Sequence, residues 1–389
     1  MTPLFLPPEA FCALLAARGE PIVHEPFDPH ITPQWFRLLA RTAMPDGARL
    51  ALADAGCGCF LPLLSRPDQP GRLLGLSNFY SALFGLASEG EADLGALQSL
   101  AAALIVRRQG FYEARFAPMD PAARSYTLLR EAFAAGGWQV DDFFSFGNWY
   151  CPVAGLKYDE YLTQRPSRLR NTILRAGKKL HDSGVFSLDI VEAGASLQSA
   201  IGDFVAVYER SWKTPEPFPE FIPSLCEMAA RMGWLRLGIA RYEGKPIAAQ
   251  LWLVASGKAH IFKLAYDEAY AKFSVGTVLT AAMMRHVIDV DRVAEVDYFN
   301  ADQKYVTVHH RGGVDLIDDS LKSLEEEFAD LFMRIHRSVL VAVARVDRLE
   351  KTADGSARIV LRDRQAHSDN ALLVSRRHLA DVRRRLRGG

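Results

Sequence analysis

The run Lys263-Leu-Ala-Tyr-Asp-Glu-Ala-Tyr-Ala-Lys-Phe-Ser-Val-Gly-Thr-Val-Leu279 changes its period partway along. Up to Tyr266 it reads as the end of a strand. A turn follows, and from Ser274 small and apolar residues take up helical spacing. Ser274 stands where a helix N-cap belongs, Val275 takes the first helical position, and Gly276 and Thr277 complete the first turn. A helix N-terminus presents unpaired backbone N–H groups and the positive end of a dipole, which suits a pyrophosphate. Glycine there lets an anion approach the backbone, and Lys272 adds a positive charge beside it. An N-capped helix with an early glycine is common, so the surrounding order of elements decides what this one means.

Outward from that block, strands are expected at 234–242, 246–254 and 259–266, the first two joined by a hairpin turn at Glu243-Gly244-Lys245. A helix over 276–290 and a strand over 295–300 follow. Upstream lie a strand at 186–191 and helices at 197–212 and 219–232. The N-terminal part shows a similar rhythm. It has short helices near 10–20 and 33–42, strands at 49–54 and 59–64 around the turn at Gly56 and Gly58, a helix at 92–108, a strand at 112–116 and a helix at 125–135 closed by Gly136-Gly137. The likeness is one of element order, not of sequence repeat, and a duplicated domain is the hypothesis it supports. Residues 328–349 are expected to form a long one-sided helix. Beyond it, 351–389 is polar and charged, with a strand expected at 359–361 and a basic helix at 371–387; it reads as an appendage and not as core.

Several short motifs stand in a definite order: Gly244-Lys245-Pro246-Ile247-Ala248-Ala249, then Tyr266-Asp267, Ala269-Tyr270-Ala271, Ser274-x-Gly276-Thr277, and Val296-Asp297-Tyr298-Phe299. Upstream are the basic stretch 165–179 and Arg210-Ser-Trp-Lys213. This order resembles the acetyltransferase domain of CelD-like, cellulose-biosynthesis-associated proteins, relatives of the Fem-type transferases within the GNAT superfamily. The resemblance covers roughly 145–320 and, more loosely, the N-terminal half. Val275 stands where that family carries proline, Glu268 where proline follows Tyr-Asp, and Lys304-Tyr305 reverses a terminal Tyr-Lys pair.

The resemblance implies an α/β (α+β) chain of two GNAT-like halves, each a mixed, mostly antiparallel sheet flanked by helices. The divisions would be 1–150, a transferase domain at 151–320, and a C-terminal helix and basic tail at 321–389. It implies acetyl-CoA or another acyl-CoA as co-substrate, held by Lys272, Ser274, Val275, Gly276 and Thr277. It implies transfer to a nitrogen or oxygen of an amine, amino sugar or polysaccharide precursor lying between the halves, with Arg168, Trp212, Asp297 and Lys304 on the acceptor. In GNAT folds a backbone N–H at a splayed strand polarises the thioester carbonyl; here that strand would be 261–266, carrying Lys263. Candidate bases are Asp267, Asp302 and Glu268, and Tyr266 or Tyr305 would give a proton to the leaving thiolate. A carboxylate acting as base near neutrality needs a raised pKa, which burial supplies. Asp297 alternates with apolar neighbours and faces either inward or outward. Two other readings remain: an aminoacyl-tRNA-dependent Fem-type transferase using Arg168, Arg170 and Lys178, and a non-catalytic scaffold of polysaccharide biosynthesis.

Composition sets bounds. Lys plus Arg and Asp plus Glu are 46 each over 389 residues, so the whole chain carries no net charge and nucleic acid is not an expected partner outside the tRNA alternative. No apolar run approaches the roughly 20 residues of a membrane span, and no secretory signal opens the chain, so a cytoplasmic protein is expected. Cys57 and Cys59 lack the spacing and partner ligands of a zinc site, adjacent His309 and His310 point to opposite faces of a strand, and no metal is expected. Walker A, H-E-x-x-H and G-x-S-x-G patterns are missing from the sequence.

Overall fold

The computed structural model describes residues 5–17, 28–56, 59–88, 93–106, 111–143, 149–298, 306–310, 313–317, 325, 332–336, 339–343, 346–351, 357–361, 372–375 and 378–387. The chain divides into two compact units, 1–300 and 301–389.

The first unit holds two six-stranded sheets. In the N-terminal half, β1 (Phe5–Leu6), β2 (Arg49–Gly56), β3 (Cys59–Ser65) and β4 (Arg72–Gly75) run antiparallel in that order, with β5 (Ala87–Ser88) also pairing β3. The chain then crosses through α3 (Leu94–Val106) to β6 (Glu113–Arg115), which pairs β4 in parallel. Helices α1 (Pro8–Ala16), α2 (Pro33–Thr42) and α4 (Arg124–Ala135) complete this half.

The C-terminal half repeats the plan. Its sheet runs β7 (Trp149–Pro152), β12 (Glu295–Tyr298), β11 (Lys258–Tyr266), β10 (Lys245–Ala255), β9 (Leu235–Tyr242), β8 (Phe186–Val191). All neighbours are antiparallel except β11 and β12, which are parallel and joined through α9 (Val275–Asp289). Each half is thus an antiparallel meander followed by a helical crossover to a parallel strand. Helices α5 (Tyr158–Thr163), α6 (Ser167–Asp182), α7 (Leu197–Glu209) and α8 (Phe221–Arg231) flank the second sheet.

Local chemistry explains the register. Glu243-Gly244 and Ser256-Gly257 all have positive φ, so both connections are two-residue mirror-image turns that match strand twist. β10 is buried without a break from Ile247 to Leu253, as a central strand covered on both faces must be. Ala249, Leu251 and Leu253 join the core shared with the N-terminal half, whereas Ala248 and Trp252 join the core under α9. α9 lays down Val275, Leu279, Met283 and Val287, all fully buried and spaced four apart. Gly238 on β9 makes room for it: a Cβ there would stand 2.5 Å from the Met283 sulfur.

The second unit overturns an expectation. The described residues within 328–349 do not form one long helix: β15 (Phe332–His336) and β16 (Val339–Ala342) form an antiparallel hairpin, and β17 (Val346–Lys351) pairs β18 (Ala357–Leu361), which pairs β19 (Leu373–Val374). Met333, Ile335, Val341, Val346, Ile359, Val374 and Val382 build a core of their own, so this region is not an appendage. Val339, Val341, Val343 and Val346 are β-branched, and their packing on a pleated surface outweighs the helical spacing. The expected strand at 359–361 lies within β18; of the basic helix expected over 371–387 only Leu379–Arg387 is helical, and Leu373–Val374 is a strand. Another antiparallel pair, β13 (Val306–His310) with β14 (Gly313–Ile317), precedes them. Among the described residues no helix is long and apolar enough to cross a membrane.

Candidate functional site

The parallel pairing of β11 with β12 runs from Lys258↔Glu295 to Ile261↔Tyr298, where the described part of β12 ends. β11 continues to Tyr266. Its register against β10 jumps from Trp252↔Ile261 to Leu251↔Lys263, which leaves Phe262 as the extra residue of a bulge. The strand expected to carry an oxyanion-binding amide is therefore bulged one residue beyond its last described pair with β12.

Beyond Tyr266 the chain makes a 3-10 turn, Glu268–Phe273, before α9. Asp267 caps that turn by accepting from the Ala269 N–H at 3.1 Å. Its carboxylate also accepts from Arg210 Nε at 3.1 Å and Lys245 Nζ at 3.2 Å. Burial alone would raise this carboxyl, but the hydrogen bonds from Lys245, Ala269 and Arg210 outweigh it and hold it below the ordinary range. Those contacts suit a latch more than a base. Arg210 Nη2 also donates to the Pro246 carbonyl, tying α7 to the start of β10.

Ser274 precedes α9 in the left-handed region (φ 51°), and its side chain makes no capping bond. The first-turn amides of Val275, Gly276 and Thr277 thus receive no acceptor from the expected cap residue. Gly276 sits under the Tyr266 ring, whose other neighbour is Trp212 with ring centroids 4.5 Å apart. Lys272 and Lys179 both place ammonium groups near the Phe273 ring, at 5.2 and 5.3 Å from its centroid. Two cations therefore flank the start of a fifteen-residue helix. Behind it, buried Gln250 donates to Thr280 Oγ1 at 2.7 Å and accepts from Trp252 Nε1 at 3.0 Å, fixing α9 to the sheet. An anion fits the donor set at this helix start.

Lys263, next to the bulge, points to the N-terminal half. Its Nζ donates to Glu216 at 2.7 Å and lies 5.3 Å from the Tyr80 ring centroid and 5.5 Å from that of Tyr208. Burial would raise Glu216, but hydrogen bonds from Lys263, Tyr80 and Tyr208 bring it below its usual value. Arg168 is exposed on α6. Asp302, Lys304 and Tyr305 lie outside the described residues. The structure thus gathers Tyr266, Asp267, Lys272, Ser274, Val275, Gly276, Thr277 and Trp212 around one strand end, and sets Lys263 and Asp297 on the inner side.

Asp297 faces inward. It is 7% exposed, and its Oδ2 lies 3.5 Å from Nδ1 of His260, which is wholly buried. His260 meets His30 of the N-terminal half, ring centroids 6.0 Å apart, and the His30 Nδ1 to Asp28 Oδ1 distance is 2.7 Å. Burial and a hydrogen bond with Glu295 push Asp297 up to about 7. Burial pushes His260 down to about 4. Sequence reading missed Arg210, Lys245, Glu216, Tyr80 and His260 as site residues. The signal for His260 was a polar side chain inside an apolar strand, Ala259-His260-Ile261, where burial demands a partner.

Comparison with known proteins gives matches to two family models. Residues 167–306 match the family model described as the acetyltransferase (GNAT) domain, and residues 287–387 match that of the LytTr DNA-binding domain. The chain carries a GNAT-type transferase domain, as the resemblance implied. The similarity to a DNA-binding domain was not foreseen in the sequence. Averaging hid it: residues 331–389 hold 14 Lys and Arg against 6 Asp and Glu, within totals of 46 each. Over 104 residues the chain is 45% identical to the positive alginate biosynthesis regulatory protein of Pseudomonas aeruginosa, covering 27% of this chain and 41% of that relative's length. Among solved structures, FemX overlaps 84% of this chain and 100% of its own at 11% identity and TM-score 0.46. A tandem GNAT protein from the clavulanic acid biosynthesis pathway overlaps 76% and 87% at 15% identity and TM-score 0.38.

Proposed function

We propose that this chain is an acyl-CoA-dependent N- or O-acyltransferase, acting on an amine or amino-sugar acceptor, that its C-terminal unit directs to DNA. The observation that carries the first part is the strand end itself. β11 is bulged at Phe262 beyond its last described pair with β12, and it leads into a helix whose first-turn amides lack the expected cap and are flanked by Lys179 and Lys272. Backbone N–H groups and two cations bind a pyrophosphate at the α9 start. The amide of the bulged strand takes the thioester oxygen as it gains charge. The Tyr266 and Trp212 rings lie against each other beside the α9 start. The thioester supplies the acyl group; the protein supplies orientation, charge stabilisation and the removal of a proton.

Calorimetric titration with acetyl-CoA and longer acyl-CoAs, on the native chain, Gly276→Trp and Lys272→Glu, tests the donor site. Binding that Gly276→Trp abolishes and Lys272→Glu weakens about tenfold is expected, since one phosphate-facing charge is worth about 1–2 kcal/mol. No binding at millimolar acyl-CoA sinks the donor reading.

The second reading is a regulator, in which the GNAT-type domain binds acyl-CoA and the LytTr-type domain answers at DNA. The 45% identity to a regulator of polysaccharide synthesis favours it. It predicts acyl-CoA binding without turnover, together with a change in DNA affinity.

A further inference from the structure

His260 on β11 and Asp297 on β12 are register partners, one step before Ile261↔Tyr298, the last described pair of the two strands. Both side chains lie on the face of the sheet turned to the N-terminal half. His260 meets His30 there, and His30 stacks on Phe262, the bulge residue, with ring centroids 6.3 Å apart. A carboxyl therefore stands beside the point where the acyl carbonyl would be held, and it is not engaged by the latch that occupies Asp267. We infer that Asp297, seated against His260, takes the proton that the acyl acceptor gives up as it attacks the thioester carbon. This rests on the acyltransferase reading above.

The groups around Asp297 explain why it rather than Asp267 suits the role. Glu295 on the same strand shares a hydrogen bond with it. From β11 come His260, and Lys258, whose Nζ lies 3.9 Å from Oδ2 and 2.7 Å from Glu295. From the N-terminal half comes the charge of Asp28, with His30 bound to it. Tyr150 of β7 is the register partner on the other side. Burial and two nearby carboxylates oppose the charged form, and Lys258 only partly offsets them. The result is a carboxyl that changes charge near neutrality, as a general base requires. Asp267, with two cations and an amide on its oxygens, is a far weaker base.

The step balances. The acceptor N–H or O–H proton passes to an Asp297 oxygen, the acceptor atom bonds to the acyl carbon, the C–S bond breaks, and the thiolate leaves and is protonated from solvent. His260 acts as a positioning residue: fully buried and neutral near pH 7, with its Nδ1 3.5 Å from Asp297 Oδ2, it packs against the carboxyl without competing for the proton.

The test uses the full chain with acetyl-CoA as donor, and water or methylamine as acceptor. Thiol release is followed across about pH 5 to 9 for the native protein, Asp297→Asn and His260→Gln, alongside acetyl-CoA binding by calorimetry. A native rate with an acid limb near neutrality is expected. Asp297→Asn should lower kcat by about 100-fold or more and abolish that limb, with acetyl-CoA affinity unchanged. His260→Gln should move the limb and cost less. Turnover that keeps its rate and limb in Asp297→Asn overturns this inference alone. Acetyl-CoA binding with no thiol release by the native protein at any pH overturns the acyltransferase reading together with this inference, in favour of the regulator. A failure to bind acetyl-CoA overturns the donor reading and this inference together.

Discussion

The Tyr80 hydroxyl, from the N-terminal half, donates to Glu216 of the C-terminal half, and Glu216 in turn holds the Lys263 ammonium beside the bulge of β11. Tyr80 also lies flat on Phe221, with centroids 3.8 Å apart and planes 5° from parallel. Tyr80→Phe keeps that stack and loses one hydrogen bond to a carboxylate, so it should cost about 1.5–3 kcal/mol. Glu216→Ala leaves a half-buried ammonium without its anion and should cost about 3–5 kcal/mol. Urea unfolding reads both; equal, near-zero effects would mean that the contact between the halves does not depend on this cluster.

Asp267 joins Arg210, Lys245 and the Ala269 amide. Asp267→Asn should loosen the 3-10 turn that leads into α9, raising the acyl-CoA dissociation constant about tenfold and leaving the pH dependence of thiol release where it was. A lost acid limb in this variant would make Asp267 the base after all.

The buried pair makes opposite demands on pH. His260 falls to about 4 in the fold, below its value of about 6.5 in an unfolded chain. The stability it contributes is complete above the unfolded value and is lost as pH falls toward 4. Asp297 rises to about 7 in the fold from 3.8. Its contribution is complete below 3.8 and is lost as pH rises through 7. Between about pH 4 and 6.5 the two slopes oppose each other, and the native protein should show a shallow profile there. Asp297→Asn removes one slope, so the variant should weaken on acidification. His260→Gln should weaken as pH rises from about 5 to 7. Each slope approaches about 1.4 kcal/mol per pH unit, and urea midpoints at several pH values measure it. Parallel profiles for the two variants would contradict this account.

For the second unit, the expected result is DNA binding by the full chain that falls steeply with salt, the logarithm of affinity declining linearly with the logarithm of salt at a slope of about −0.9 per phosphate neutralised. Fluorescence anisotropy on duplexes measures it. Affinity that ignores salt, or no binding near 50 mM salt, would count against a DNA-binding role.

Much of this was legible in the sequence, for identifiable reasons. Hairpin turns announce themselves by residue type, and Glu243-Gly244-Lys245 stood where the β9–β10 turn is. The strand, turn and helix around Tyr266, Asp267 and Ser274 were expected where they occur, because a change of hydrophobic period is local. What Asp267 does was not legible, since Arg210 and Lys245 arrive from positions far away in the chain. Asp297 was ambiguous because strand alternation offers two faces, and only the N-terminal half, through Asp28 and His30, makes one of them an interior. The β15–β16 hairpin was missed because a short apolar run such as Val339–Ala342 satisfies both periods; its β-branched content was the better guide.

Phe11, Trp35, Leu61 and Tyr80 belong to the same buried cluster as Phe204, Phe221, Leu237 and Ala265. The matched GNAT segment therefore owns the core under α9 but shares with the N-terminal half the core on the other face of its sheet. Cut free at residue 167, it would expose the apolar side of β10 and α8 to water, and it should aggregate where residues 1–300 remain dispersed. Calorimetry of that unit should accordingly record a single endotherm, with the two sheets melting together as one cooperative body.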